Sequence, residues 1–252
     1  MYDLQKADVW KRISALLFDL ILLAIVAIGA ALLLSAVLGY DGQTARLENV
    51  QTSYETQYGV EFDLTAEERE KLTEEEKIQY DKAYEAFTKD AEAGRLYSLL
   101  VNLSLLIITF ALLIAYFVME FTIPLVLGNG QTLGKKIFGI GVMREDSVRI
   151  TPMLLFIRTV LGKYTVETMI PVMIVFMILF NAIGIVGIAV LALFAIMQIV
   201  TICITRGRMP LHDLLAHTVT VDFASQKIFE NPEALLAYKQ KLHAETADKA
   251  KY

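Results

Sequence analysis

Cysteine is nearly absent. The single one, Cys203, lies inside an apolar stretch, which excludes an internal disulfide and any thiolate metal cluster and leaves it a packing role. Histidine is scarce too. His212 and His217 are five residues apart and so do not share one helical face, which argues against a histidine-based metal site. No HExxH, paired-cysteine or Ser/His/Asp arrangement is present. Gly134-Lys135 lacks the rest of a phosphate loop, because Asn129 stands where the first glycine is needed and Lys136 stands where Ser or Thr must hold magnesium. We therefore expect no enzyme activity, no cofactor and no nucleic-acid partner. No internal repeat covers the apolar part of the chain.

What the chain has in plenty is long apolar sequence. Hydrophobic residues make up 56% of it, against about 45 to 50% in soluble domains. They collect in three blocks, 13–38, 96–127 and 166–205. The first, about 26 residues long, is sufficient to cross a hydrocarbon layer roughly 30 Å thick. It also carries an aspartate, so it reads as an uncleaved anchor and not as a secretory leader. The third, at 40 residues, would reach roughly 60 Å as one helix and must be divided. Asn181, Gly184 and Gly187 supply the turn-permissive cluster for that division. Four membrane helices result.

Charge is distributed unevenly along the chain. The segment 41–95 holds fifteen acidic and seven basic residues, whereas 128–165 has only Glu145 and Asp146 against Lys135, Lys136, Arg144, Arg149, Arg158 and Lys163. By the positive-inside rule the basic segment belongs in the cytoplasm. With four spans both termini follow it there, in agreement with Lys6, Lys11, Arg12, Arg206 and Arg208, and the acidic insert lies outside. The expected organisation is 1–40 with the first span, 41–95 as the insert, 96–127 as the second span, 128–165 as a basic loop, 166–205 as spans three and four, and 206–252 as a cytoplasmic tail. The fold class is an all-α membrane protein of the cell membrane: four transmembrane helices with an extracytoplasmic helical insert and a small cytoplasmic β element.

Local signals fill in the connections. Thr65 with Glu68 and Thr73 with Glu76 match the capping box, predicting helices over 66–72 and from 74, the latter running nearly unbroken past Gly94. Phe138, Ile140 and Val142 alternate, and Arg144-Glu145-Asp146 reads as a turn back toward Val148 and Ile150, giving a hairpin. From Thr151-Pro152 to about Tyr164 the pattern fits an amphipathic helix lying in the plane of the inner interface. Val219 to Phe223 reads as a strand. Asn231 as cap and Pro232 at the first position open a last, polar helix.

The candidate functional residues are the charges inside apolar sequence. Asp19 lies about two turns into the first span, where an ionisable group costs about 2.5 to 3.5 kcal/mol and needs a protein or water partner. Glu120 lies about as far from the end of the second span. If those helices touch, the two carboxylates face each other and hold a proton or a small cation, the chemistry of antiport. Arg12 and Asp19, seven positions apart, are separated by about 10.5 Å along the helix, so each needs another partner. Asp213 is the candidate partner for Arg12, as an ion pair closing an inner gate. His212 and His217 are candidates for a proton relay. Lys135 and Lys136 are expected to meet anionic lipid headgroups.

Arg12, Asp19, Gly130-Gln131-Thr132-Leu133-Gly134-Lys135 and His212-Asp213-Leu214-Leu215-Ala216 together resemble the RDD family of integral membrane proteins, named for one arginine and two aspartates. The resemblance covers roughly 6–40 and 98–223. It implies a membrane protein with a transport role and does not name a substrate. Relatives commonly have glycine after Leu-Leu-Ala, where this chain has His217. The expected function is transport, by cation or proton exchange through Asp19 and Glu120, with the bilayer and a small cation or proton as partners. The alternative is a non-catalytic membrane adaptor that recruits a protein through the acidic insert. Ala27-x-x-x-Ala31 is compatible with a homo-oligomer.

Overall fold

The computed structural model describes residues 6–205 and 207–249, so Arg206 lies outside the described residues. Among the described residues, four helices are long and apolar enough to cross a membrane: Val9–Leu38, Ala91–Leu127, Pro152–Leu179 and Gly184–Ile204. In chain order the elements are α1 (Val9–Leu38), α2 (Tyr40–Tyr58), α3 (Ala66–Glu70), α4 (Glu74–Lys89), α5 (Ala91–Leu127), α6 (Leu133–Ile137), β1 (Ile140–Arg144), α7 (Pro152–Leu179), α8 (Gly184–Ile204), α9 (Leu211–Leu215), β2 (Thr218–Asp222) and α10 (Pro232–Lys249). Apolar side chains such as Leu33 and Val37 on α1 and Ile185 and Ile204 on α8 are left exposed. That surface suits hydrocarbon, where helices satisfy all their backbone groups internally.

The chain forms two compact units, one of residues up to Ala27 with Leu112 onward, the other Ile28–Ala111. In the second unit both predicted capping boxes are present, with Thr65 and Thr73 each exchanging side-chain and backbone hydrogen bonds with the glutamate three residues on. Helix α4 stops one residue before Asp90. That side chain accepts hydrogen bonds from the backbone of Glu92 and Ala93 at 2.8 Å and starts α5 afresh. Helix α2 was not foreseen. It is bounded by Gly39 and Gly59, both left-handed, and half-buries Leu47, Val50, Tyr54 and Tyr58 along one stripe. Tyr54 and Phe62 pack on the aromatic side chains of α4, and the Tyr54 hydroxyl donates to Asp90 at 3.0 Å.

In the first unit, two predicted elements are rearranged. The stretch 151–164 is not a separate in-plane helix. It opens α7, which runs without a break to Leu179, and Thr151 caps its start by accepting from Leu154. Nor is β1 paired mainly with the following residues. The turn at 144–148 closes, through Arg144 N–H to Val148 C=O at 2.9 Å and a single bridge from Met143 to Arg149. The principal partner of β1, however, is β2, antiparallel from Ile140 opposite Asp222 to Arg144 opposite Thr218. Burial explains the preference: Met143, Val219 and Val221 close one small core with Met209, which the local hairpin could not supply. The turn between α7 and α8 falls where expected, with Asn181 and Gly184 at positive φ. Asn231 caps α10 by accepting from Ala234 at 2.8 Å.

Candidate functional site

Asp19 is buried on α1, and its partners come from the loop after α5. One carboxylate oxygen accepts from the Thr132 hydroxyl and the other from the Gly134 N–H at 2.8 Å. Thr132 is also the N-cap of α6, accepting from the Lys135 N–H at 3.3 Å. Gly134 has to be glycine, since a Cβ there would stand 2.5 Å from the Ala15 carbonyl oxygen and 2.9 Å from the Asp19 carboxylate. The Gln-Thr-Leu-Gly-Lys segment is therefore shaped to receive Asp19. Gln131 braces it by donating to the Ile140 carbonyl at 2.8 Å.

Arg12 and Asp213 do not form the expected pair. The Arg12 guanidinium donates to two carbonyls, Arg208 at 3.0 Å and Thr220, which pins the start of α1 to the strand β2 and the loop before α9. Asp213 instead pairs with Arg158, whose Nε donates to it at 2.7 Å, and accepts from the Thr218 hydroxyl at 2.8 Å. Arg158 is 1% exposed and Asp213 likewise 1%, so each charge depends on the other. Burial alone would raise the Asp213 pKa, but Arg158 and the hydrogen bonds hold it well below the usual carboxylate range.

Glu120 lies in a stretch of α5, Phe117–Thr122, that is wound with i→i+5 backbone bonds. A longer stretch of α7 wound in the same way, Ile157–Met169, carries Arg158, Lys163 and Glu167. Such wide turns are frequent at functional sites. Lys163 Nζ is 2.6 Å from one Glu120 oxygen, while Lys135 Nζ and Arg158 Nη1 are each 3.9 Å from the other. Asp19 and Glu120 each take hydrogen bonds from donors of their own, while both carboxylates act on the Lys135 ammonium. Among the described residues, Glu120 Oε2 and Lys135 Nζ are buried polar atoms with no hydrogen-bond partner.

Lys135 is not at the headgroups, being buried beside Glu120; Lys136 is exposed. Burial, reinforced by Arg158 and Lys163, pushes the Lys135 pKa down to about 7. The two histidines separate as well. His212 is enclosed, its backbone N–H and Nδ1 on Glu167 at 2.9 and 2.7 Å and its Nε2 3.1 Å from Arg158 Nη2. His217 is an exposed residue at φ 49° whose nearest charged group is Glu145 at 3.6 Å, which removes it from any buried relay. Gly162 lets α9 approach α7, because a Cβ would lie 2.6 Å from the His212 Cβ.

Arg158, Lys163 and Glu167 are the site residues that the reading of the sequence did not assign to the site. A signal was present: Arg158 and Lys163 are five apart amid apolar residues, which lines them up only on a helix wound i→i+5. Taken as ordinary α-helix, the same segment looks like an interfacial one. The model of the RDD family matches residues 6–217. No curated protein and no solved structure gives a match to the chain.

Proposed function

The chain belongs to the RDD family of membrane proteins, and from that footing we propose that it works as a proton-coupled membrane transporter or transporter subunit. The observation that carries this reading is the pair of buried charged atoms Lys135 Nζ and Glu120 Oε2, 3.9 Å apart and neither of them hydrogen-bonded. An ionisable group kept within a membrane helix, as Glu120 is in α5, marks a pathway for protons and ions. Lys135, held near neutrality, is the group that gains and loses the proton. Glu120 keeps its charge balanced by Lys163 and Arg158 in either state. With three cationic nitrogens within 3.9 Å of it, Glu120 has little attraction left for a metal cation, which favours a proton over sodium at this position. Asp19 is a positioning residue, acting through Thr132 to set the helix that presents Lys135. Arg158 with Asp213 replaces Arg12 with Asp213 as the gate. The site faces the cytoplasm of the cell membrane in this proposal.

The test is full-length protein in liposomes under an imposed pH gradient, with an internal pH dye and a scan of small cations and anions outside. Proton movement coupled to one solute is expected, lost in Glu120→Gln and Lys135→Met variants that still elute as monodisperse protein. Wild-type flux equal to that of empty liposomes overturns the proposal. That outcome leaves the second reading, a membrane adaptor, which is supported by the insert having an aromatic core of its own, Phe62 among Tyr80, Tyr84 and Phe87.

A further inference from the structure

The hydrogen bonds of His212 fix its tautomer on chemical grounds alone. A guanidinium has five N–H donors and no acceptor, so Arg158 Nη2, 3.1 Å away, donates to His212 Nε2, which must offer its lone pair. On the opposite edge Nδ1 lies 2.7 Å from Glu167 Oε2. A carboxylate accepts there, so Nδ1 carries the hydrogen. Both nitrogens are committed, and the ring is neutral. A second proton can enter only at Nε2, where it would set N–H against N–H and cation against cation.

We infer that His212 is an acid-sensitive latch: protonation at Nε2 expels the Arg158 guanidinium from the ring and loosens α9 and β2 from α7. The groups around the ring bear on the balance from each side. From α7, Arg158 and Lys163 oppose the charged ring while Glu167 favours it; from α9, Asp213 Oδ1, 3.7 Å from Nε2, favours it. Gln198 of α8 is neutral and is engaged with Glu167 and the Leu211 N–H. Burial also holds the ring's pKa below its ordinary value, in keeping with a neutral resting state. Because Arg158 also holds Asp213 and approaches Glu120, its displacement would disturb every charge in the network. The inference concerns the latch itself and holds whether or not the chain moves a solute.

Two measurements on the full chain in nanodiscs test it. Nitrogen NMR of labelled histidine at neutral pH should show His212 as the Nδ1–H tautomer; an Nε2–H or charged ring would overturn the inference without any variant. Hydrogen exchange across 211–222, corrected for the intrinsic rate, should lose protection on acidification. The limit is about tenfold per pH unit between the titration point of the freed ring and the lower one of the enclosed ring, as for one linked proton. His212→Gln, which can still accept from Arg158, should flatten that dependence, with His212→Asn as the second variant if the first does not fold. Wild-type protection unchanged between neutral and mildly acidic pH sinks the latch.

Discussion

Lys163 Nζ and Glu120 Oε1 meet at 2.6 Å, each projecting from a helical stretch wound i→i+5. The pair ties α5 to α7 and both side chains are buried, so it differs from a surface salt bridge, whose worth is about 0 to 1 kcal/mol. Removing Lys163 takes from Glu120 its nearest cation and leaves only the two at 3.9 Å. Lys163→Met is expected to lower stability by about 3 to 5 kcal/mol, and Lys163→Met with Glu120→Leu by less than the single change. Thermal unfolding in detergent checks this; a double variant as damaged as the sum of the singles contradicts it.

Gly134→Ala should be among the least tolerated changes of its size, because the added methyl meets a backbone carbonyl and the Asp19 carboxylate, neither of which can swing aside. A loss of about 1 to 3 kcal/mol or more is expected. Asp19→Asn should cost about 1.5 to 3 kcal/mol by weakening two charge-assisted hydrogen bonds. Unfolding midpoints decide both, and a Gly134→Ala protein as stable as wild type would show that the loop does not grip α1 as described.

Lys135 makes stability depend on pH in a particular direction. Its folded pKa, about 7, lies below the 10.5 of the free side chain, so between those values the unfolded chain binds the extra proton. Stability should therefore rise with pH across that window and be flat in this contribution below it. Lys135→Met should remove that part of the slope. Denaturation of the two proteins over the window gives the comparison, and parallel curves would mean that Lys135 is not buried as seen.

His217→Gly should stabilise the protein. The residue sits at φ 49° with its side chain exposed, a conformation costing a side-chain-bearing residue roughly 1 to 2 kcal/mol. Glycine, common at this place in the relatives that the sequence resembles, relieves it. A raised unfolding midpoint is the expected result, and a lowered one would show that the imidazole makes a contact worth more than the strain.

The spans, the capping boxes and the turn at Asn181 were readable in the sequence because each depends on neighbours within a few residues. Asp19 and Glu120 stood out because charge in apolar sequence is costly. Their partners were not readable. Arg158 lies in a segment whose ordinary helical pattern suits an interface, and only the wider winding turns it and Lys163 inward together. The choice of β2 over residues 148–150 as the partner of β1 depends on a core that joins Met143 to Met209, Val219 and Val221, far along the chain, which no local pattern records.

That sheet also orders the assembly in time. β1 leaves the ribosome well before β2, and between them lie both remaining spans, so the strands can pair only after the third and fourth helices have been threaded into the bilayer. Until then Arg158 lacks Asp213 and Arg12 lacks the Thr220 carbonyl. A nascent chain stalled partway would leave those two arginines without these acceptors, so closure of the two strands marks a completed molecule.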